Sequence, residues 1–440
     1  MPEIRDETGA RDLVRRIVAK ELPPKVAIPP DEEDLVKSGA VDSMGWVGIL
    51  SAIEDSTGIR NFGSSWPEGH PQSILALVLA VRESVHSPRP KTTKEHSEAT
   101  TRGNLAVSLL GWGHALGSLQ VEAAAVEREC GLPAGTIRER AGIETVRRAA
   151  PDEDETILAQ RAAELALEVA DVVPEAVDFA VATSATFLHL PSLAATLHTR
   201  LLLRESCAAL DVGGACVGLL HALATAKAFL AMRRGVALVV ASEVHSRRLS
   251  QVPGEFRGLF GDGACAFVLA SSETGAGSGQ GFAVGDFVFG CAGTFASSLR
   301  LALGEAGGVE VQFQGEQLGS AAVNQLGRIV DDLEIQSGEA RSEVDCFAIH
   351  EPNPRLVEIF AQKAKIPLEK IPLTSKTCGN LGSATCGVSL CTALTRTATH
   401  REASRPGVIF MAAVGPGLLW GGTWLSSAGK PVCQRGASAS

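Results

Sequence analysis

Ten cysteines occur among the 440 residues, and one of them, Cys216, has neighbours that suit a nucleophile. It follows a predicted strand at 208–212 and a Gly213-Gly214 turn, and it lies in the first turn of a predicted helix. The positive end of a helix dipole lowers the pKa of a thiol and raises its thiolate fraction. The glycines allow close approach of a substrate. The alternative is that Cys216 is a small core residue on a buried helix. The sequence around Cys216 alone does not decide between a nucleophile and a core residue.

Two other polar residues lie where α/β proteins bind ligands. His350 ends a β-like run and begins the tetrapeptide His-Glu-Pro-Asn, and ligands gather at the carboxyl ends of parallel strands. Asn380 lies in a Cys-Gly-Asn-Leu-Gly-Ser turn that opens another predicted helix. Taken singly, each has an ordinary structural alternative, because a lone histidine is more often structural and asparagine is a common turn residue. A thiol, an imidazole and an amide at one centre would suit covalent acyl transfer through a cysteine thioester.

A faint internal repeat predicts how these residues meet. The paired runs are 177–183 with 344–350 and 235–242 with 407–414. In each copy the two runs bracket a Gly/Ala/Ser-rich segment that opens a helix. Short β-rich runs that alternate with helical patterns predict βαβ units and a largely parallel sheet. Two copies of one α/β half-domain would direct both helix N-termini, with Cys216 and Asn380, towards one centre.

The polar segment 88–101 has the composition of a solvated linker and divides the chain. The predicted domains are an all-helical domain at 1–87, the linker at 88–101, and two α/β halves at 102–275 and 276–430. Apolar residues at helical spacing predict three helices in the small domain.

Composition and charge argue against several functions. A net charge of -10 without a basic run leaves nothing to neutralise a phosphate backbone, so no nucleic-acid partner is expected. The longest apolar runs identified, 74–81 and 407–417, are shorter than the roughly 20 residues that cross a bilayer, so no membrane association is expected. The first 25 residues lack the apolar core of a secretory signal, which predicts a cytoplasmic protein. The cysteines lack zinc-site spacing, so free thiols and no metal are expected.

Five motifs closely resemble, in the same order, the β-ketoacyl-ACP synthase III group of the thiolase superfamily over about residues 102–428. They are DVGGACVGLLHAL around Cys216, LFGDGACAFVL from Leu259, FAIHEPNPRLVEIF around His350, CGNLGSAT around Asn380, and VGPGLLWGG from Val414. The resemblance implies the α/β thiolase-like fold, a duplicated αβαβα arrangement, and a homodimer. It also implies a catalytic Cys216, His350 and Asn380, with the backbone N–H groups of Cys216 and Gly417 holding an oxyanion.

In the implied reaction Cys216 takes an acyl group from a thioester on a carrier protein or CoA. His350 and Asn380 then donate hydrogen bonds to a malonyl-type thioester, which loses carbon dioxide and attacks the acyl-cysteine. This is a decarboxylative Claisen condensation of fatty acid or polyketide-type biosynthesis. Acyl transfer to an alcohol or amine is the alternative within catalysis, and a non-catalytic subunit that presents a carrier is the alternative of another class. Where relatives primed by acyl-CoA carry a tryptophan and an arginine beside the adenine, this chain has Thr136 and Gly254.

The small domain resembles an acyl or peptidyl carrier protein. Its segment from Asp31 to Met44 contains Asp-Ser-Met, similar to the site at which a serine opening the second helix carries 4′-phosphopantetheine. The resemblance implies that a phosphopantetheinyl transferase modifies Ser43, and that Glu54 and Asp55 face a partner enzyme. The alternative for Ser43 is an ordinary helix N-cap.

Overall fold

The computed structural model describes residues 7–22, 26–59, 71–86, 105–249, 252–272, 281–303, 309–313, 315–399 and 407–427. The chain divides into one compact unit of residues 1–102 with 313–324, here the small unit, and another of 103–312 with 325–440, here the large unit. The predicted linker 88–101 lies outside the described residues. The predicted domain limits at 87, 102, 275 and 430 remain predictions.

The described part of residues 1–102 contains three helices where the apolar spacing predicts them. They are α1 (Glu7–Glu21), α2 (Ser43–Thr57) and α3 (Ile74–His86). Their apolar faces share one core, which includes Val14, Trp46 and Leu77. Gly58 ends α2 in the left-handed conformation, with φ of 68°, as glycine commonly does. A helical bundle therefore forms in this part of the chain.

The remainder of the chain alternates strands with helices. The strands are β1 (Ala106–Leu116), β2 (Leu119–Glu122), β3 (Thr145–Arg148), β4 (Phe179–Thr183), β5 (Ala208–Asp211), β6 (Val236–Val244), β7 (Asp262–Ser272), β8 (Phe282–Val284), β9 (Val288–Cys291), β10 (Leu299–Leu303), β11 (Val309–Phe313), β12 (Cys346–Ile349), β13 (Val408–Gly415) and β14 (Leu419–Ser427). The helices are α4 (Ala123–Cys130), α5 (Glu155–Ala170), α6 (Leu193–Arg200), α7 (Gly218–Met232), α8 (His245–Arg248), α9 (Gly254–Arg257), α10 (Gly315–Ser337), α11 (Pro354–Ala364), α12 (Ser375–Cys378) and α13 (Thr385–Thr399).

Ten of the described strands form one mixed sheet. Its order is β12-β13-β14-β8-β1-β7-β6-β4-β5, with β9 beside β14. Parallel pairing occurs between β4 and β5, β4 and β6, and β12 and β13, whereas the other neighbours are antiparallel. The expectation of a largely parallel sheet is therefore wrong. The reason is visible at β13 and β14, which a three-residue turn joins, because short turns can join only antiparallel strands.

The internal repeat is confirmed by the strands that form from it. The runs predicted at 177–183 and 235–242 become β4 and β6, which pair in parallel. Those at 344–350 and 407–414 become β12 and β13, which also pair in parallel. In each copy a central helix follows the glycine-rich segment, α7 in the first and α13 in the second. The two helices are thus placed equivalently.

Both faces of the central strands are buried, so alternate side chains enter different cores. In β4, Phe179 and Val181 join a core that contains residues of α7 and α13. Ala180 and Ala182 face the opposite way, into a core built with α5 and α6. This alternation follows from the two-residue period of a strand. It leaves α7 and α13 enclosed by apolar side chains, with their N-termini at the candidate site.

The segment Ala215–Met232 is long and apolar enough to cross a membrane by composition, and the sequence analysis overlooked it. In the structure it contains α7, whose residues Leu219, Leu223 and Leu230 are buried in the central core. Its hydrophobicity is therefore that of a core helix in this fold.

Candidate active site

A sharp turn between β5 and α7 presents Cys216. Gly214 has φ of 142° and Ala215 has φ of 44°, a left-handed value that is unusual for a residue with a side chain. Such strain costs free energy and is found mainly at functional sites. Cys216 follows at once, within the 3-10 turn Ala215–Val217. The Gly213-Gly214 pair therefore does what the sequence predicts, placing the cysteine at the entrance to a helix.

The pKa of Cys216 is raised in the structure, whereas the sequence predicts a lowered value. Burial, reinforced by the nearby Glu243 carboxylate, raises the pKa of this thiol to about 12. The Cys216 side chain remains partly accessible, but the protein atoms that crowd its sulfur exclude the water that would solvate a thiolate. Proximity to the helix N-terminus does not compensate for that loss. The expectation of a lowered pKa is wrong, and Cys216 rests as a thiol in the free protein.

His350 directly follows β12, as predicted, and is almost completely buried. Its backbone N–H donates to the carbonyl oxygen of Ala412 at 2.8 Å, which ties it to β13. Burial, with a contribution from His245, lowers its pKa to about 4 while the backbone of Gly382 acts in the opposite direction. The Nδ1 atom of His350 has no hydrogen-bond partner among the described residues. A neutral imidazole is therefore held here with a ring nitrogen unengaged.

Asn380 is fixed by both its backbone and its side chain. Its backbone pairs with the segment before β7, donating to the Leu259 carbonyl at 2.8 Å and accepting from Gly261 N–H at 3.0 Å. The side-chain Oδ1 accepts from the N–H of Gly382 at 2.9 Å and from the hydroxyl of Thr385 at 3.3 Å. Because Oδ1 is occupied, the Nδ2 group is the part of the amide that can act on a substrate, and it can only donate.

The turn Gly382–Ala384 connects the three predicted residues. It packs against the 3-10 turn that contains Cys216, its Gly382 N–H binds Asn380, and its Gly382 backbone influences His350. The buried Glu243 reinforces this turn by accepting from the hydroxyl of Ser383 at 2.5 Å. Cys216, His350 and Asn380 are therefore gathered around one turn, as the internal repeat predicts.

Two buried residues beside the site, Glu243 and His245, were missed in the sequence analysis. Glu243 accepts the backbone N–H groups of Ala185 and Thr186, each at 3.0 Å, so it also anchors the loop after β4. His245 lies against Gly382. A signal was present, since Ser-Glu-Val-His ends the β6 run and polar residues at strand ends mark ligand sites.

The other polar residues of the His-Glu-Pro-Asn tetrapeptide have structural contacts. Glu351 is fully buried, and its carboxylate accepts from Ser375 N–H at 2.8 Å and from the Thr374 hydroxyl at 3.2 Å. Asn353 caps α11 by accepting from Leu356 N–H at 3.0 Å. The tetrapeptide thus supplies His350 to the site and holds the surrounding turns.

The Gly-Pro-Gly turn after β13 approaches Cys216 through its first residue. A Cβ atom on Gly415 would lie 3.0 Å from Cβ of Cys216 and 3.4 Å from its backbone nitrogen. Pro416 has no N–H, so an oxyanion donor in this turn must come from Gly415 or Gly417. Gly417, with φ of 116°, has left-handed backbone geometry. The assignment of the Gly417 N–H to the oxyanion remains a prediction.

In the small unit, Ser43 is the first residue of α2, and Asp42 before it is the N-cap. The Asp42 carboxylate accepts from Gly45 N–H at 2.8 Å. The alternative that Ser43 itself caps the helix is therefore wrong. Of the two acidic residues expected to face a partner, Asp55 is exposed but Glu54 is buried in the bundle.

The chain is similar in sequence to known 3-oxoacyl-ACP synthases. The family model of 3-oxoacyl-[acyl-carrier-protein (ACP)] synthase III matches residues 210–293, and the model of its C-terminal part matches residues 335–426. The β-ketoacyl-ACP synthase III of Methylococcus capsulatus is 34% identical over 295 residues, covering 66% of this chain and 89% of that protein. The 3-oxopimeloyl-ACP synthase of Brucella abortus is 32% identical, with 71% and 96% coverage.

Solved structures show the same fold. The 3-oxoacyl-ACP synthase III of Pseudomonas aeruginosa PAO1 superposes with a TM-score of 0.64 at 25% identity, covering 73% of this chain and 98% of that one. The priming β-ketosynthase of the R1128 polyketide pathway gives a TM-score of 0.64 at 25% identity, with 75% and 99% coverage. The thiolase-like α/β fold implied by the motifs is confirmed.

Proposed function

The chain belongs to the β-ketoacyl-ACP synthase III family, and from this premise we propose that it condenses an acyl group with a malonyl-type thioester. In the first half-reaction the Cys216 sulfur attacks an acyl thioester, releasing the donor thiol and forming acyl-cysteine. In the second, malonyl thioester loses carbon dioxide, and the electron pair of the broken C–C bond becomes an enolate. The enolate carbon attacks the acyl-cysteine, the C–S bond breaks, and Cys216 regains a proton.

The observation that carries the proposal is the arrangement of Cys216, His350 and Asn380 around the turn Gly382–Ala384. The pKa of the thiol is raised to about 12 and that of the imidazole is lowered to about 4, so both rest uncharged near neutral pH. A neutral imidazole and the Nδ2 group of Asn380 can each donate a hydrogen bond to a developing oxyanion. Plain acyl transfer does not require this second donor, so the intact Asn380 favours condensation.

We extend the proposal to the small unit, which acts as a fused carrier. Ser43 opens α2 beside the capping carboxylate of Asp42, and the N-terminus of a 15-residue helix suits a phosphodiester on that residue. When bound, 4′-phosphopantetheine supplies the thiol on which acyl groups are carried as thioesters. A phosphopantetheinyl transferase is the partner that installs it.

A homodimer is part of the proposal, and β5 supports it. In the described structure β5 ends the sheet with β4 as its neighbour, and its four residues are exposed. Large apolar side chains are also exposed on segments near it in sequence, at Leu188, Leu190 and Leu202. An exposed strand edge with apolar side chains invites pairing with a second chain. Light scattering should then give the mass of two chains.

We propose that the acyl donor is a carrier protein rather than CoA, because the residues that would bind the adenine of CoA are absent. At the place of the adenine-binding arginine, a Cβ on Gly254 would lie 2.4 Å from the carbonyl oxygen of Cys130, so a larger residue does not fit. Thr136 donates its hydroxyl to the Pro133 carbonyl at 2.7 Å and has no ring to stack. Aromatic stacking is worth about 1–3 kcal/mol per base, and fusion raises the effective concentration of a tethered donor.

We therefore expect matched acyl groups to reach Cys216 at least about tenfold faster from carrier pantetheine than from CoA. The measurement is the initial rate of Cys216 acylation and of 3-oxoacyl product formation by intact-mass analysis. Equal rates from both donors would show that the small unit does not deliver substrate. Acylation of Cys216 without a condensation product from any malonyl donor would indicate plain acyl transfer instead.

The Ser43→Ala variant should lose phosphopantetheinylation completely, because no other serine of the chain occupies the Asp-Ser-Met context. Asp42 caps α2, so the substitution should cost less than the about 1 kcal/mol of a lost N-cap. Intact mass after treatment with a phosphopantetheinyl transferase measures the first effect and thermal unfolding the second. The matched control is Ser56→Ala at the other end of α2, which should remain a substrate. Modification that persists in the Ser43→Ala variant would reject the assignment.

A further inference from the structure

A second histidine, His245, is buried beside the catalytic residues, and the reaction described above gives it no role. It directly follows β6, and only 6% of its surface is exposed. Its Nδ1 lies 3.1 Å from the carbonyl oxygen of Gly261. A carbonyl oxygen can only accept, so Nδ1 carries the proton in this contact. With the proton of the ring on Nδ1, Nε2 is the nitrogen that can accept a hydrogen bond.

The Nε2 edge of this ring faces the turn that connects the active-site residues. A Cβ atom on Gly382 would lie 2.7 Å from Cε1 of His245 and 2.9 Å from Nε2. The N–H of that same glycine binds Asn380. His245 also lies near enough to His350 to contribute to the lowering of the pKa of His350. Nε2 of His245 therefore borders the region in which His350 and Asn380 act.

The other face of His245 meets apolar side chains. Its ring packs on Phe260 at a centroid distance of 4.6 Å and an interplanar angle of 36°. Phe260 in turn joins an apolar cluster with Leu249, Val252, Phe256 and Leu299. The backbone of Phe260 pairs with that of Asn380. His245 thus places a polar acceptor between this apolar cluster and the active-site turn.

We infer that His245 selects the acyl group, its Nε2 accepting a hydrogen bond from a hydroxyl on the chain carried by Cys216. The preferred primer is then a short hydroxyacyl thioester rather than the plain alkanoyl thioester of the same length. The reason is that a hydroxyl on the acyl chain regains at Nε2 the hydrogen bond it loses on leaving water, whereas an alkyl chain that displaces water from Nε2 offers no donor in its place. The inference rests on the proposed function, because it names the acyl group that Cys216 receives.

The test uses the full chain carrying Ser43→Ala, so that acyl mass cannot reside on the pantetheine arm. The probes are pantetheine thioesters of butyrate and of 2-, 3- and 4-hydroxybutyrate. We expect at least one hydroxy isomer to acylate Cys216 about fivefold faster than butyryl, the factor that a net hydrogen bond of about 1 kcal/mol gives. If butyryl reacts as fast as every hydroxy isomer, the inference is wrong.

Three variants then assign the preference to the Nε2 atom. His245→Phe keeps a ring against Phe260 but lacks the acceptor, so the rate ratio should fall to about one. His245→Gln can place an amide oxygen near the Nε2 position and should retain part of the ratio. His198→Phe on α6 is the control for a histidine-to-phenylalanine change and should keep the full ratio.

The ratio of hydroxybutyryl to butyryl acylation rates is taken within each variant, so a general loss of activity cancels. Partial misfolding of a variant therefore cannot produce a change in this ratio. An unchanged ratio in His245→Phe would overturn the role of His245. Failure of all four probes to acylate Cys216, with carrier-bound donors failing as well, would instead overturn the proposed function on which the inference rests.

Discussion

The Cys216→Ala variant should form no acyl-enzyme and no condensation product, while it folds like the native chain. The sulfur is the atom to which the acyl group is transferred, and no backbone group can replace it. The substitution removes one atom from a partly accessible side chain, so it should change stability by about 1 kcal/mol or less. Intact mass after incubation with an acyl donor, on a Ser43→Ala background, measures acylation of the remaining residues.

Cys386→Ala provides a matched control for this experiment. Cys386 occupies α13, the helix equivalent to α7 in the second copy of the repeat, and lies near enough to Cys216 for that residue to act on it electrostatically. Burial raises its own pKa to about 12 as well. A general effect of removing a buried thiol would appear in both variants, whereas loss of the nucleophile appears only in Cys216→Ala. Acyl mass on the large unit of Cys216→Ala would show that the nucleophile is another residue.

The parts of the fold that could be predicted are those set by local pattern. Apolar runs at 177–183 and 235–242 became β4 and β6 because each is buried on both faces. Gly58 and Gly214 could be identified as turn residues because few other residues tolerate positive φ. The position of Cys216 in the site followed from these features together with the repeat.

The mixed pairing of the sheet could not be predicted in the same way. Strands β1 and β7 pair with each other although 166 positions separate Ala106 from its partner Ser272. Local periodicity identifies each run as a strand but contains no information on its partner or direction. The three-residue turn after β13 was the available clue, since a tight turn requires an antiparallel return.

The pKa of Cys216 could not be predicted from local sequence either. The helix N-terminus beside it could be identified in the sequence, but the atoms that bury the sulfur come from distant segments. Gly415 at the end of β13 lies against Cys216, and the Glu243 carboxylate at the end of β6 acts on the thiol electrostatically. Desolvation of a thiolate can exceed the favourable effect of a helix dipole, and only the assembled fold shows that it does here.

Asn380→Asp and His350→Ala should each slow condensation by about a hundredfold or more, and slow acylation of Cys216 less. Loss of one donor to a developing oxyanion typically costs about 3 kcal/mol. Asn380→Asp keeps an oxygen that accepts from Gly382 N–H but removes the Nδ2 donor, so it separates catalysis from folding better than alanine does. The two rates are measured as acyl mass on Cys216 and as carbon dioxide released from a malonyl donor.

The pH profile of acylation decides between two roles for His350. Its pKa is lowered to about 4, so as a base to Cys216 it would remain neutral and give a flat native profile above about pH 5. Without that base, acylation would depend on free thiolate, and the His350→Ala rate should rise about tenfold per pH unit, because the thiol pKa is raised to about 12. If His350 only donates to the second substrate, the profiles of native and variant protein should coincide. Equal loss of acylation and condensation, together with the steep profile, would therefore assign His350 as the base and contradict the donor role.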